Sequence, residues 1–303
     1  MEKVSIIMAT YNRSKVIYYS IMSVLSQTYQ NWELIVVGDC CTDDTEDVVS
    51  SFNDPRIIFH NLPENFGEQS YPNNVGMKLS TGDYIAFLNH DDIWLPDHLE
   101  LSLKKLKTEN ADFVFSIIGM IGDFKENTLI AYSESGNFEY HVIVPASSWL
   151  FKREVYLKVG DWRSAWDIIQ YPSEDYLYRV LKSNFKIKAV NKLTLIKPAS
   201  TYIEKTYFID SDINKTIYQS IINNPNFRED FLTSAIINNY GEYSIKVHLY
   251  KLIREIIKRF SIFFAKIFKL HPHTITNIIA YRGGKGKGIN QLRKIRGLES
   301  KKK

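Results

Sequence analysis

The sequence predicts an α/β fold built on a mostly parallel sheet, followed by a mainly helical, basic C-terminal extension. Three observations carry this reading. Short apolar runs recur at residues 4–9, 33–37, 56–60, 84–88 and 113–117, with amphipathic stretches between them. Strands alternating with helices at this spacing build a parallel sheet covered on both faces. The runs lack polar alternation, as strands buried on both faces should. Charge is also divided unevenly: residues 246–303 hold sixteen Lys and Arg against two acids, a net of +14, which leaves −10 on residues 1–245.

The elements follow in order. The run at 4–9 reads as a first strand. Ser14 caps a helical stretch to Gln27, with Val16, Ile17, Ile21, Val24 and Leu25 on one stripe. A second strand covers 33–37, and Thr42-Asp43-Asp44-Thr45 can cap a helix running to about Phe52. A third strand at 56–60, a helix at 74–79, a fourth strand at 84–88, a helix at 95–106 and a fifth strand at 113–117 complete the regular part. Beyond it, short strands are expected at 129–132 and 142–144, a helix at 174–181, and strands at 187–190 and 193–196. From about Asp210 the chain reads as helical. Residues 246–270 form a basic amphipathic stretch, 282–288 a flexible loop, and 301–303 a frayed end.

A chain of 303 residues suits one large α/β domain with an appendage, or two small domains. Its composition, 45% hydrophobic and 24% charged, excludes wholesale disorder. Cys40 and Cys41 are adjacent, a spacing that suits neither a disulfide framework nor a metal site, and a reducing compartment is expected. No apolar run reaches the ~18 residues of a membrane span, and no secretory leader is expected at the N-terminus.

In parallel sheets ligands sit beyond the carboxyl ends of the strands. Polar clusters stand at three such ends: Thr10-Tyr11-Asn12-Arg13, Asp39-Cys40-Cys41-Thr42, and Asn89-His90-Asp91-Asp92. Carboxylates at Asp91 and Asp92 can hold a hard divalent ion between protein and diphosphate, or cap the helix that starts near Pro96. Asp39 can accept a hydrogen bond from a base or a ribose, or serve as a turn residue. Asp43 and Asp44 read as helix caps.

The ordered set of these blocks resembles the family 2 inverting glycosyltransferases, which have the GT-A fold. Residues 4–13, 27–39 and 80–96 are similar to the family's opening, second and metal-binding blocks, and the likeness extends over roughly residues 3–200. The resemblance implies a GT-A catalytic domain at 1–205, with a nucleotide-binding part at 1–118 and an acceptor-binding part at 119–205, ahead of a helical basic region at 206–303. It implies that Thr10, Tyr11, Asn12, Asn74 and His90 line the nucleotide site and that Asp39 binds the base, usually uracil. Asp91, with Asn89, would hold a divalent manganese or magnesium ion. Asp175 in Ser173-Glu174-Asp175 would be the catalytic base, with Glu174 as second choice. Trp149 and Ser148 would border the acceptor, and Trp162 and Trp166 could stack on sugar rings or pack in the core.

Two departures stand out. Asn89 replaces the first acid of the Asp-x-Asp motif. Asn73 stands where an arginine often does, in a block about one residue longer than usual. The resemblance further implies transfer of a sugar from a nucleotide diphosphate donor to a saccharide or lipid-linked oligosaccharide, in cell-surface polysaccharide or lipopolysaccharide synthesis. The basic amphipathic tail suits a cytoplasmic protein resting on the anionic inner membrane surface, or a helix packed on the catalytic domain. Nucleic acid is not an expected partner, since no nucleic-acid-binding module accompanies the tail. Two other functions remain open: a sugar nucleotidyltransferase, which should carry a Gly-rich loop after the first strand, and a non-catalytic scaffold, which Asn89 favours.

Overall fold

The computed structural model describes residues 2–121, 127–139, 142–198, 212–241, 245–281 and 284–301. Among these, nine strands form a single sheet in the order β3-β2-β1-β4-β8-β6-β9-β5, with β7 paired to β6. Its parallel half comprises β1 (Val4–Thr10), β2 (Trp32–Gly38), β3 (Ile57–Asn61) and β4 (Tyr84–Phe87). Helices α1 (Ser14–Leu25), α2 (Thr45–Ser50) and α3 (Ser70–Leu79) connect these strands. The chain moves outward from β1 through β2 to β3, then returns to the other side of β1 as β4. That reversal opens a crevice beyond the carboxyl ends of β1 and β4.

The short β5 (Ile93–Trp94) and helix α4 (His98–Thr108) lead into β6 (Phe113–Ile121), which pairs in parallel with β9 (Ile187–Pro198). Two strands expected at 187–190 and 193–196 are thus one. The interruption between them is a register shift, with Asn191 and Lys192 exposed at that point. Strand β7 (Asn127–Ile130) starts two residues before its expected position, and the described residues of 142–144 form no strand. The sequence reading also missed β8 (Trp149–Lys152), which inserts antiparallel between β4 and β6. Helices α5 (Arg153–Val159) and α6 (Pro172–Lys182) follow it.

The core explains why β8 had to be a strand. Trp149 is fully buried, stacked on Trp162 and Tyr176 at ring distances of 5.6 and 6.1 Å and edge-on to Phe113 at 5.3 Å. Its indole N–H donates to the Val144 carbonyl at 3.1 Å. Large aromatics gain most from such burial when the polar handle is satisfied. Helices α7 (Ile213–Asn223) and α8 (Phe227–Gly241) bury Ile217, Ile221, Phe231 and Ala235 against Ile93, Leu193 and Ile196 of the same sheet. Beyond them lie α9 (Ile245–Ile267), α10 (Thr274–Tyr281) and α11 (Lys287–Ile295).

One polar knot ties the amino ends of the strands. Glu33 accepts bonds from Ser5 Oγ at 2.6 Å, Lys3 Nζ at 2.7 Å and the Thr81 backbone N–H at 2.7 Å. Burial pushes this carboxyl up, but the Lys3, Ser5 and Thr81 donors outweigh it and hold it at about 2, against an ordinary value of 4.5. A lowered pKa stabilises the fold above the unfolded value and loses that contribution as pH falls towards the folded one. Wild-type protein should therefore lose stability between pH 4.5 and about 2. Glu33→Gln should cost about 1–2 kcal/mol at pH 7 and flatten this acid dependence, as read by urea melts across pH.

Candidate active site

Three strand ends converge on the crevice. His90, just past β4, bonds through Nδ1 to the Ala9 carbonyl of β1 at 3.1 Å, and Ser20 Oγ of α1 donates to the His90 carbonyl at 2.8 Å. Burial drives the His90 imidazole down to about 4, so it is neutral at physiological pH. Asn12 adopts a left-handed backbone with φ 47° and joins the first two strand ends. Its Oδ1 accepts from Thr42 N–H at 2.8 Å, and its Nδ2 donates to Thr42 Oγ1 at 3.2 Å. Tyr11 beside it is half-buried. Thr10 is buried, and its hydroxyl has no hydrogen-bond partner among the described residues. An unsatisfied buried hydroxyl at a strand end is poised to take a ligand. Burial raises the Cys41 thiol to about 11, which fits an inert small residue.

Asp39 holds a loop. Its two carboxylate oxygens each accept a backbone N–H, from Phe66 and Gly67, at 2.8 Å, and Asn65 Nδ2 bonds its carbonyl at 2.8 Å. Burial pushes its pKa up, although both N–H donors oppose the shift. Each oxygen keeps a second lone pair, so a base N–H can still be accepted. Asn74 is spent differently. Its amide bonds the Trp162 carbonyl at 3.0 Å and accepts the Trp162 N–H at 2.7 Å, so it docks the 161–167 segment rather than facing the crevice.

The acids after β4 divide into two roles. Asp92 is fully buried and surrounded by donors: Ser147 Oγ at 2.5 Å, Asn89 Nδ2 at 3.1 Å and Lys197 Nζ at 2.8 Å. That set neutralises a buried carboxylate and fixes the turn. Lys197 is a residue that sequence reasoning missed; a lysine closing the mostly apolar run 193–196 was the available signal, since buried lysines need a partner. Asp92 and Asp91 hold Lys197 protonated against the effect of burial. Asp91 itself is 6% exposed. Burial pushes its carboxyl up, but Lys197, His90, Arg296 and Arg13 together hold it well below the ordinary carboxylate range.

The donor set suits one kind of metal. Asn89 turns its amide nitrogen to Asp92, so its amide oxygen and the Asp91 carboxylate are the oxygens that could be offered to a metal. Among the described residues no cluster of three His, Cys, Asp or Glu forms a cage. Magnesium-type ions take one or two protein carboxylates and complete their shell with phosphate and water, so the residues present fit such an ion bound together with a diphosphate.

Asp175, near the start of α6, is 5% exposed. Arg179 Nε donates to its Oδ2 at 2.8 Å, whereas among the described residues Oδ1 has a 3.4 Å contact with the outer guanidinium of Arg163, whose side chain is 60% exposed. Glu174 is committed elsewhere: its carboxylate accepts from the Tyr171 backbone N–H at 3.3 Å and from Asn277 of α10 at 3.2 Å. The expected acceptor contacts are corrected by the core. Trp149 and Ser148 are both fully buried, and Ser148 Oγ donates to the Pro145 carbonyl at 2.8 Å, so neither offers a surface to a sugar. Trp162 is likewise buried; Trp166 is half-buried, with its indole N–H on the Phe66 carbonyl at 3.3 Å.

Together, the sheet order, the crevice at the β1–β4 reversal and the acid turn after β4 define a nucleotide-binding α/β domain of the GT-A type. Residues 5–154 match the model of glycosyl transferase family 2, and this half of the chain belongs to that family. Over 125 residues it is 38% identical to the UDP-Glc:alpha-D-GlcNAc-diphosphoundecaprenol beta-1,3-glucosyltransferase WfaP of Escherichia coli, covering 41% of this chain and 49% of that protein. It is 34% identical over 126 residues to the poly(ribitol-phosphate) beta-N-acetylglucosaminyltransferase TarP of Staphylococcus aureus, covering 40% of this chain and 38% of that protein. The matches thus reach about half the length of these relatives or less. The crystal structure of S. aureus TarS 1-349 in complex with UDP-GlcNAc shares the fold, with a TM-score of 0.56 at 16% identity over 79% of this chain and 73% of that one.

Proposed function

We propose that the chain is an inverting glycosyltransferase that moves a hexosyl or N-acetylhexosaminyl group from a UDP-sugar to a saccharide carried on a lipid diphosphate. The observation that carries this is the acid turn of Asn89–Asp92 set against an unsatisfied Thr10 hydroxyl at the β1–β4 crevice. The uridine donor and the lipid-linked acceptor are supported by the names of the relatives. A nucleotidyltransferase is less well supported, because Ala9-Thr10-Tyr11-Asn12 lacks the glycines of a phosphate loop.

The residues divide the work as follows. Thr10, Tyr11 and Asn12 border the nucleoside, and Asp39 receives the base while holding the 65–67 loop against it. Asp91 holds manganese or magnesium, which when bound neutralises the leaving diphosphate. Asp175 takes the proton from the acceptor hydroxyl. Arg179 fixes its Oδ2, so Oδ1 is the atom that receives the proton once the acceptor displaces the exposed Arg163 side chain. Attack from the face opposite the leaving diphosphate gives inversion. The direct test is the anomeric configuration of the product: a β-linked product from an α-configured UDP-sugar is expected, and retention would contradict the reading.

The tail supports a membrane-bound acceptor. Helix α9 presents Ile253, Ile256, Ile257, Phe260, Phe263, Phe264 and Ile267 exposed, while Ser261 and Ala265 on another face are buried. Arg259 and Lys269 are exposed near this apolar stripe. Among the described residues no helix is long and apolar enough to cross a membrane. An exposed aromatic face with neighbouring cations suits the interface of an anionic bilayer. In vesicle sedimentation, the wild type should bind phosphatidylglycerol vesicles and bind neutral ones at least tenfold less. Phe260→Glu combined with Phe263→Glu should lose most of that binding, and unchanged binding of the double variant would contradict a lipid-facing α9.

A further inference from the structure

The C-terminal segment was expected to end in a frayed run of lysines, yet its described residues lie against the crevice. Gly286, with φ +74°, packs on Trp166 and donates its N–H to the Ile168 carbonyl at 3.2 Å. From there α11 leads inward. Arg293, 9% exposed, donates through Nη1 to the Gly67 carbonyl at 2.7 Å and through Nε to the Glu299 carbonyl at 2.9 Å. Gly297, with φ +83°, ends the helix, and the returning strand of chain is tied by Lys301 N–H to Asn290 Oδ1 at 3.0 Å. Lys301 then bonds the Asn65 carbonyl through Nζ. Gly67 and Asn65 belong to the same loop that Asp39 holds. The tail therefore braces the loop of the base site from the outside.

Between Arg293 and this return lies Arg296. Its Nε is buried and has no hydrogen-bond partner among the described residues. Its charge is close enough to act on His90, Asp91 and Lys197. Arg13, from the end of β1, also acts on His90 and Asp91. Arg13, Arg296 and Lys197 all act on Asp91, and Lys197 pairs directly with Asp92 at 2.8 Å. Buried donors without a hydrogen-bond partner among the described residues stand at Arg296 Nε and Thr10 Oγ1. Such a site is complementary to a polyanion, and a guanidinium suits the paired oxygens of a diphosphate.

We propose that α11 and the turn after it form a wall of the donor site, in which Arg296 binds the diphosphate of the nucleotide donor and Arg293 positions it by anchoring the segment to the Gly67 loop. This deepens the transferase reading and rests on it. It gives the far C-terminus a role in donor affinity, separate from any role of α9 at a bilayer.

The test is calorimetric titration of the full chain with UDP and, separately, with uridine, in the presence of manganese. Arg296→Gln should weaken UDP binding at least tenfold and leave uridine binding unchanged, because the lost contact is to phosphate. Arg296→Lys should recover part of the affinity, and Lys294→Gln, an exposed lysine on the same helix, should bind as wild type does. Equal UDP binding by wild type and Arg296→Gln would overturn the proposal and leave the transferase reading standing. So would equal weakening for UDP and uridine, which would mark Arg296 as a merely structural residue. Failure of the wild type to bind any nucleoside diphosphate would overturn both.

Discussion

Asp175→Asn is expected to lower kcat by about a thousandfold while leaving the affinity for UDP-sugar within twofold of wild type. The asymmetry follows from where the residue sits. Asp175 is bound to the protein through Arg179 on one oxygen, and among the described residues the other oxygen meets an exposed arginine at 3.4 Å. The amide keeps most of the shape and can still accept a bond from Arg179, so the helix start should survive, but it cannot take a proton. A loss confined to kcat therefore separates proton transfer from donor binding. The Glu174→Gln variant serves as the contrast. Its carboxylate is engaged by Tyr171 and Asn277, so its loss should lower the melting temperature by a few degrees and change kcat little. A large kcat loss in Glu174→Gln with an active Asp175→Asn would reverse the assignment.

Asp91→Ala is expected to abolish metal-dependent UDP binding, weakening it by at least about a hundredfold in manganese and reducing transfer to background. Asp91 is buried with its carboxylate held ionised, and Asp92 accepts directly from Ser147, Asn89 and Lys197. The two neighbouring acids should therefore fail differently. Asp92→Ala leaves Lys197 buried without its counter-ion and opens the turn, so it should cost about 3–5 kcal/mol of stability. Asp91→Ala should cost less stability than Asp92→Ala, because Lys197 keeps its direct pairing with Asp92. The measurement is a paired thermal melt and UDP titration of both variants. The larger loss of binding in Asp91→Ala, and the larger loss of stability in Asp92→Ala, is the expected outcome.

The regular half of the fold was legible because its signals are local. Strands β1, β2 and β4 are buried on both faces and mostly apolar, so their runs stand out without reference to any partner, and α1 carries its buried stripe in its own spacing. The acceptor half was not legible in the same way. Residues 145–153 read as bordering the acceptor because the family resemblance implied it, and no local spacing marked Trp149 and Ser148 as core. Their burial depends on Phe113, Trp162 and Tyr176, which are distant along the chain. Strand β9 was divided in two because Asn191 and Lys192 break its pattern, although a register shift carries the pairing past them.

The candidate site shows the same division. Asp39, His90 and Asp91 were singled out from their positions at strand ends, which the topology dictates. Their local roles were not. That Asp39 grips the Phe66 and Gly67 backbone, or that Asn74 is spent on Trp162, follows only from tertiary packing. Lys197 and Arg296 come from 105 and more than 200 residues beyond the turn they act on, and no spacing rule connects them to it. A basic tail read by composition gave a charge; its contact with the 65–67 loop gave that charge an address.

The central claim is that the β1–β4 crevice binds a nucleoside diphosphate through an ion held at Asp91. The most direct measurement is calorimetric titration of UDP into the full chain, first with manganese and then with excess chelator, with GDP and dTDP as comparisons. The account predicts micromolar UDP binding in manganese, at least tenfold weaker binding after chelation, and a preference for UDP over the other two. A folded protein that binds none of the three diphosphates in manganese would contradict it.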